Sequence, residues 1–122
     1  MAGDLKREGK YLAKLGDGNQ FPSDYGIYTE QTAEIIPTDY FLVGSSFCSP
    51  GKAHDFHSHD DCDEVILFQG GEGIFTVGDE KYEIREGDMF YAPKGVAHAA
   101  ENTSVVPLRM TVVKVKERYS KK

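Results

Sequence analysis

Four histidines are the residues of this chain best suited to chemistry: His54, His57, His59 and His98. A neutral imidazole binds transition metals, and an imidazole exchanges protons near neutral pH. His57 and His59 are separated by one residue, and alternate residues of a β-strand point to the same side. The two rings can therefore reach one metal ion, although such pairs also occur on protein surfaces or as satisfied pairs in a core.

A carboxylate and a third imidazole complete this arrangement. Glu64 lies five positions after His59 and opens the strand-like run 64–68, so a hairpin through 60–63 brings it back beside the histidine pair. His98 lies in a later run between alanines, which leave space around its ring. Three imidazoles and one carboxylate suit one divalent ion of Fe, Mn, Ni, Zn, Co or Cu. A divalent ion with a single carboxylate keeps a net positive charge, which favours an anionic or bidentate oxygen ligand.

Three further side chains are weaker candidates for catalytic roles beside such a centre. Tyr40 and Tyr91 can each donate a hydrogen bond to a substrate, and His54 can act as an additional acid or base. The alternatives are ordinary structural roles. The tyrosines can pack in a core, and His54 can occupy a loop, since it lies three positions before His57 and faces away from it in a regular strand.

Four side chains are candidates for substrate binding. Phe68, Phe75 and Tyr91 lie on predicted strands and can form the apolar wall that most ligand cavities have. Arg109 is the strand cation best placed to pair with a carboxylate substrate. Core packing is the alternative for the aromatic residues, and an exposed strand face is the alternative for Arg109.

Short apolar runs separated by glycine-containing turns must position these residues. The runs predict strands at 39–48, 65–69, 74–77, 81–85, 89–92, 96–101 and 107–116. A helical turn over 5–15 is weakened by Gly9 and Gly16. Many short strands with frequent turns indicate an all-β sandwich or small barrel.

The last predicted strand changes its alternation partway along. Apolar residues occupy even positions from Leu108 to Val112 and odd positions at Val113 and Val115. Side chains of a strand alternate with a period of two, so this change predicts a bulge or a bend. Lys114 counts with the basic residues near the chain end, which we interpret as solvated.

Glycine and proline residues flank the candidate ligands at fixed spacings. The ligands and these flanking residues together resemble the two sequence motifs of the cupin family. The first cupin motif is a glycine, five residues, His-x-His, three or four residues, Glu, six residues and a glycine. It is matched here by Gly51, His57, His59, Glu64 and Gly71. The second motif is a glycine, five residues, Pro-x-Gly, two residues, His, three residues and Asn. It is matched here by Gly87, Pro93, Gly95, His98 and Asn102.

The resemblance implies a double-stranded β-helix, or jelly-roll, cupin barrel whose metal is held by the three clustered histidines and Glu64. It also implies a single cupin unit that forms a homodimer. We assign residues 21–118 to the barrel, 1–20 to an N-terminal extension with a short strand or arm, and 119–122 to a C-terminal tail.

Composition restricts the class of partner. The 122 residues carry a formal net charge of −6, whereas nucleic acids and anionic membranes require a basic surface. No apolar run approaches the length of a membrane span, and the first residues hold no signal-peptide stretch. We therefore expect a cytoplasmic protein without nucleic-acid or membrane partners, in which Cys48 and Cys62 are reduced.

The predicted function is that of a metal-dependent enzyme acting on a small polar organic molecule. We favour a dioxygenase-type oxidoreductase, because the ligand set leaves two positions of an octahedral ion for substrate and dioxygen. A metal-assisted isomerase, lyase or decarboxylase acting on a sugar acid or keto acid is the first alternative. A non-catalytic module that binds a small, anionic molecule is the second.

Overall fold

The protein consists of two antiparallel β-sheets. The structure, a computed structural model, describes residues 5–30 and 40–116. The strands are β1 (Asn19–Pro22), β2 (Gly26–Glu30), β3 (Phe41–Cys48), β4 (Cys62–Gly70), β5 (Gly73–Val77), β6 (Glu80–Ile84), β7 (Met89–Ala92), β8 (His98–Asn102) and β9 (Leu108–Lys116). The larger sheet has the order β1-β2-β3-β9-β4-β7, and the smaller has the order β6-β5-β8. The predicted all-β, jelly-roll class is confirmed.

The inward faces of the two sheets pack against each other to form the core. Phe68 of the larger sheet and Phe75 of the smaller one are almost fully buried, with ring centroids 6.2 Å apart. Burying one such side chain contributes about 1.5–3 kcal/mol to folding. The remaining core side chains are Cys48, Ile66, Ile84, Ala92, Ala100, Leu108, Met110 and Val112. The two cysteines are both buried and free.

Strand β9 lies between β3 and β4, and its pairing with both is regular at Val112 and Val113, so the bulge predicted at that point is wrong. Leu108, Met110 and Val112 point inward and are buried, and Lys114 continues the same inward face. Val113 lies on the outer face of the sheet beside Val65, so the outer face also carries apolar residues. The change of alternation therefore marks a strand with apolar residues on both faces. The irregularity of this pairing lies in β4, between Phe68 and Gly70.

The first part of the described chain differs from the sequence prediction. Strand β2 was not predicted. Strand β1 crosses the proposed boundary between residues 20 and 21, so it belongs only in part to the extension for which a short strand or arm is predicted. Residues 5–15 form turns instead of a helix, with the Leu12 N–H donating to the Gly9 carbonyl at 3.2 Å. The proposed tail, 119–122, lies outside the described residues, and the division into domains stays a prediction.

In residues 5–30 and 40–116, no helix is long and apolar enough to cross a membrane.

Candidate metal centre

Backbone hydrogen bonds hold the two ligand-bearing segments together. His57 and His98 form an antiparallel bridge, in which the His57 N–H donates at 3.1 Å and the His98 N–H donates at 2.7 Å to the other's carbonyl. The carbonyl of His59 accepts a hydrogen bond of 2.7 Å from the N–H of Gly95. The two segments are therefore fixed in register by main-chain contacts as well as by their side chains.

Four side chains direct one donor atom each toward a common point. The donor atoms of His57, His59, Glu64 and His98 all lie within 4.8 Å of one another. Oε2 of Glu64 is 2.8 Å from Nε2 of His59 and 3.1 Å from Nε2 of His98. Metal–ligand bonds of about 2.1 Å place adjacent donor atoms about 3 Å apart and opposite ones about 4.2 Å apart. The cluster has the dimensions of a shell around one ion.

The second nitrogen of two of these imidazoles is already engaged. Nδ1 of His57 lies 2.7 Å from the carbonyl oxygen of Asp55, and Nδ1 of His98 lies 3.3 Å from that of Val96. A carbonyl oxygen can only accept, so in both rings Nδ1–H donates, and Nε2 is the atom left to face a metal ion. Metal-binding histidines are oriented in this way.

Glu64 is a buried carboxylate whose charge is stabilised by its surroundings. Its Oε2 is buried and makes no aligned hydrogen bond with a described residue, although two imidazole nitrogens are within 3.1 Å. Burial opposes ionisation, but the contact with His98 and the charges of His59 and Lys114 outweigh burial and lower the pKa of Glu64. An ionised oxygen without an aligned donor fits a divalent cation.

A pocket of about 220 Å³ opens beside this cluster, and all four candidate ligands line it. Part of its wall is apolar and consists of Ile66, Phe75, Ala100, Met110 and Val112. A second part is polar or amphipathic and consists of Tyr25, Tyr28, Ser46, His54 and Lys114. The site thus combines a wall of candidate metal ligands with groups that can hold a polar organic molecule.

Of the weaker sequence candidates, Phe75 and His54 lie in this pocket. Nε2 of His54 is 3.5 Å from the Ser46 hydroxyl oxygen, and its ring centroid is 4.1 Å from that of Tyr25. Burial, together with the nearby His57 and other charges, lowers the pKa of His54 to about 4. The side chain is therefore neutral near pH 7 and lies outside the ligand cluster.

The structure does not place the other candidates in the pocket. Phe68 packs behind the pocket wall in the core. Tyr91 is 57% exposed and pairs with Val65 on the outer face of the larger sheet, because its neighbour Ala92 takes the inward position. Tyr40 is 45% exposed just before β3. Arg109 is exposed on the outer face of β9, with its guanidinium carbon 5.8 Å from the Phe47 ring.

Sequence reasoning missed four of the polar or amphipathic pocket residues: Tyr25, Tyr28, Ser46 and Lys114. Tyr28 belongs to β2, which was not predicted, and no short-range motif marks it. Lys114 was grouped with the solvated chain end. The available signal was its position between Val113 and Val115, because a strand with two outward valines must direct the lysine between them inward.

A known protein family matches the part of the chain that carries the candidate ligands. Residues 48–114, more than half of the chain, match the Cupin domain family Cupin_2. The chain belongs to the cupin family. All four candidate ligands of this cupin lie within the matched segment, whereas β1 and β2 precede it.

The relatives known from sequence share only part of their length with this cupin. An uncharacterized protein of Methanocaldococcus jannaschii is 35% identical over 54 residues, which cover 44% of this chain and 43% of that protein. This cupin matches less than half the length of its curated relatives.

Solved structures of other proteins share the fold more completely. A predicted oxalate decarboxylase of Thermotoga maritima has a TM-score of 0.76 at 18% identity, with 86% of this chain and 98% of that chain covered. The DMSP lyase DddQ of Ruegeria pomeroyi has a TM-score of 0.68 at 22% identity, with 77% and 48% covered. At these identities the similarity shows the fold alone.

Proposed function

We propose that this cupin is a metal-dependent enzyme acting on a small organic anion in the pocket beside the cluster. The observation that supports this most directly is the convergence of four donor atoms, within 4.8 Å of one another, on the wall of that pocket. When bound, a divalent ion supplies a Lewis acid that polarises an oxygen atom of the substrate. The three imidazoles and Glu64 are the residues that would hold it.

The remaining pocket residues support binding and shielding of the substrate. Ile66, Phe75 and Val112 give the pocket an apolar wall that excludes water from the substrate. Lys114 supplies a positive charge near the ligand cluster, and the Tyr28 hydroxyl supplies a hydrogen-bond donor. Together with a divalent ion, these groups favour an anionic substrate.

The pocket supports a non-oxidative reaction best: isomerisation, decarboxylation or elimination on a sugar acid or keto acid. Such reactions move protons or stabilise an oxyanion, and both need protein groups separate from the metal ligands. Tyr28 and His54 are such groups, since both line the pocket without belonging to the ligand cluster.

A dioxygenase-type reaction, favoured from sequence, is the second candidate. Apolar side chains, including Ile66, Met110 and Val112, lie beside the cluster. Because dioxygen is apolar, such surroundings favour its entry next to a substrate. The ligand set is compatible with either reaction class.

Metal analysis combined with turnover in air and under argon tests the proposal. Protein purified without an affinity tag should contain close to one divalent metal per chain. A panel of keto acids, hydroxy acids and sugar acids is then offered to it. Equal turnover in air and under argon supports the non-oxidative class. Oxygen uptake in air, together with the absence of product under argon, supports the dioxygenase. Tight binding without turnover would leave a binding module, and the His57→Ala variant is the control for dependence on metal.

We also propose that this cupin is a homodimer joined through the outer face of the larger sheet. Val65, Leu67 and Val113 lie half-buried on this face. Met89 and Tyr91, from the neighbouring edge strand, are 64% and 57% exposed. An apolar surface that runs across several strands marks an interaction site more often than an isolated exposed residue does. The cytoplasmic location stays a prediction.

A further inference from the structure

The Tyr28 hydroxyl is a buried group that the metal cluster does not use. Among the residues that the structure describes, it and Glu64 Oε2 are the buried side-chain atoms without a hydrogen-bond partner. A buried donor without a partner is costly, so it calls for an explanation in the molecule's function. Burial, with the nearby charges of Glu30 and Glu64, raises the pKa of Tyr28, so its hydroxyl keeps its proton and acts as a donor.

The Lys114 ammonium group lies next to this phenol. Lys114 is on the inward face of β9, directly opposite Glu64 of β4 and Leu42 of β3. Its Nζ is 4.7 Å from the centroid of the Tyr28 ring, which is the distance of a cation–π contact. The lysine cation and the tyrosine ring thus lie together among the residues that line the pocket.

Gly44 makes this position of the tyrosine ring possible. A Cβ atom on Gly44 would overlap the carbonyl oxygen of Thr29 and come within 2.7 Å of Cε1 of Tyr28. The absence of a side chain therefore lets β2 approach closely and lets the Tyr28 ring lie over β3 toward Lys114. Tyr28 and Gly44 both lie outside the segment that matches the family, so this arrangement is not part of the matched motifs.

Charge directs an anion to the metal-facing side of Lys114. The lysine also borders a second cavity, whose other lining residues include Glu30 and Asp61. These carboxylates repel an anion on that side. On the first side, a divalent ion held beside Glu64 would add its charge to that of the lysine. The resulting excess of positive charge would suit an acid with a second negatively charged oxygen.

We propose that Tyr28 and Lys114 form a clamp that binds a carboxylate group of the substrate, with Gly44 providing the space for the tyrosine ring. The inference rests on the proposed function and adds a substrate class to it: small organic acids with two oxygen groups, one for the metal and one for the clamp. The Tyr28 hydroxyl donates a hydrogen bond to the carboxylate, and Lys114 supplies the opposite charge.

Binding of malonate, measured by calorimetry on both the metal-free and the Zn(II)-loaded protein, tests the clamp. Lys114→Met keeps the length of the side chain and removes its charge, and it should weaken malonate binding about 10- to 100-fold. Tyr28→Phe should weaken it about 3- to 10-fold. Arg109→Met is the matched control, because Arg109 is a cation of the same strand that lies on the outer face. It should leave the affinity unchanged.

Two comparisons separate the clamp from the metal centre. Zinc content measured on the same samples should be equal in the wild type, Lys114→Met and Tyr28→Phe. Equal malonate affinity of wild type and Lys114→Met in both forms would overturn the clamp while the metal centre stands. A wild type that holds no zinc would contradict the proposed metal centre, and the metal-free titrations would then still decide the clamp. Uncharged malonamide should bind the wild type and Lys114→Met alike, and a loss equal to that of malonate would overturn the role of the lysine charge.

Discussion

Each clustered histidine offers one donor atom to the proposed metal ion, so the loss of any one should weaken metal binding. His57→Ala, His59→Ala and His98→Ala should each lower zinc affinity by at least about tenfold, since even residues that only orient ligands cost 10- to 100-fold. Chelator competition measures the affinity. Far-UV circular dichroism should show an unchanged β fold, because the backbone hydrogen bonds between His57 and His98 do not involve the side chains.

His54 provides the matched control for these three variants. It is a histidine of the same pocket whose ring nitrogen lies outside the cluster. His54→Ala should therefore bind zinc as tightly as the wild type. Unchanged affinity in all three cluster variants, or a strong loss in His54→Ala, would show that the ligands are wrongly assigned.

His54 should also make folding sensitive to acid. Burial lowers its pKa in the folded protein to about 4, whereas an unfolded histidine titrates near 6.5. Between these values the unfolded chain binds a proton that the folded chain does not, so the free energy of unfolding falls as the pH drops from 6.5 to 4. The loss is about 3 kcal/mol and is complete below pH 4.

Urea unfolding of the metal-free protein across this pH range measures the effect. His54→Gln has no titrating ring and should show a shallower decline than the wild type. The difference between the two curves isolates His54, since every other titrating group is common to both proteins. Parallel curves would mean that His54 is not a neutral buried group.

At the scale of strands, the pairing of β2 with β3 depends on one position without a side chain. Gly44→Ala should destabilise the protein by about 1–3 kcal/mol, because the added methyl group meets the backbone carbonyl of Thr29 as well as the Tyr28 ring. Gly70→Ala is the control, since its Cβ would meet only the Arg109 side chain, at 3.6 Å. Equal stability of the two variants in urea unfolding would contradict the close approach.

The strands differ in how well the sequence predicts them. The strands predicted at 74–77 and 81–85 flank the turn residues Gly78 and Asp79, and the structure confirms them as the antiparallel pair β5 and β6. Strand β2 is short and mixes polar with apolar residues, so no local alternation marks it. In β9, local alternation is misleading, because both faces of this central strand carry apolar residues. Its pairing with β3 and β4, which no local pattern shows, determines that Lys114 points inward.

The same distinction explains the predictability of the pocket. His57, His59 and Glu64 are close in sequence, and the spacing of glycine and proline residues around them and around His98 matches a known pattern. The ligand cluster was therefore predictable. Tyr28 and Lys114 are brought together only by the order β2-β3-β9 in the larger sheet. Their contact depends on long-range strand pairing, so the clamp cannot be predicted from the sequence alone.

For the whole molecule, the proposed homodimer predicts twice the mass of the chain in light scattering after size exclusion. Tyr91→Asp and Met89→Asp place charges on exposed positions of the outer face and should shift the protein to the monomer, with zinc binding retained. Val105→Asp is the matched control, because Val105 is 92% exposed in a loop. A wild type that is monomeric at all concentrations would contradict the homodimer.

The central position of β9 has a consequence for synthesis on the ribosome. It is the last described strand in chain order, yet it lies between β3 and β4 in the larger sheet. A nascent chain that has emerged only as far as β8 already carries all four metal ligands but cannot close this sheet. A metal ion bound at that stage would be held by a chain in which β9 does not yet join β3 and β4. Because Lys114 lies in β9, the pocket gains the positive charge of this residue only at the end of folding. A product truncated before β9 would leave β3 and β4 without this shared partner and exposed to proteolysis.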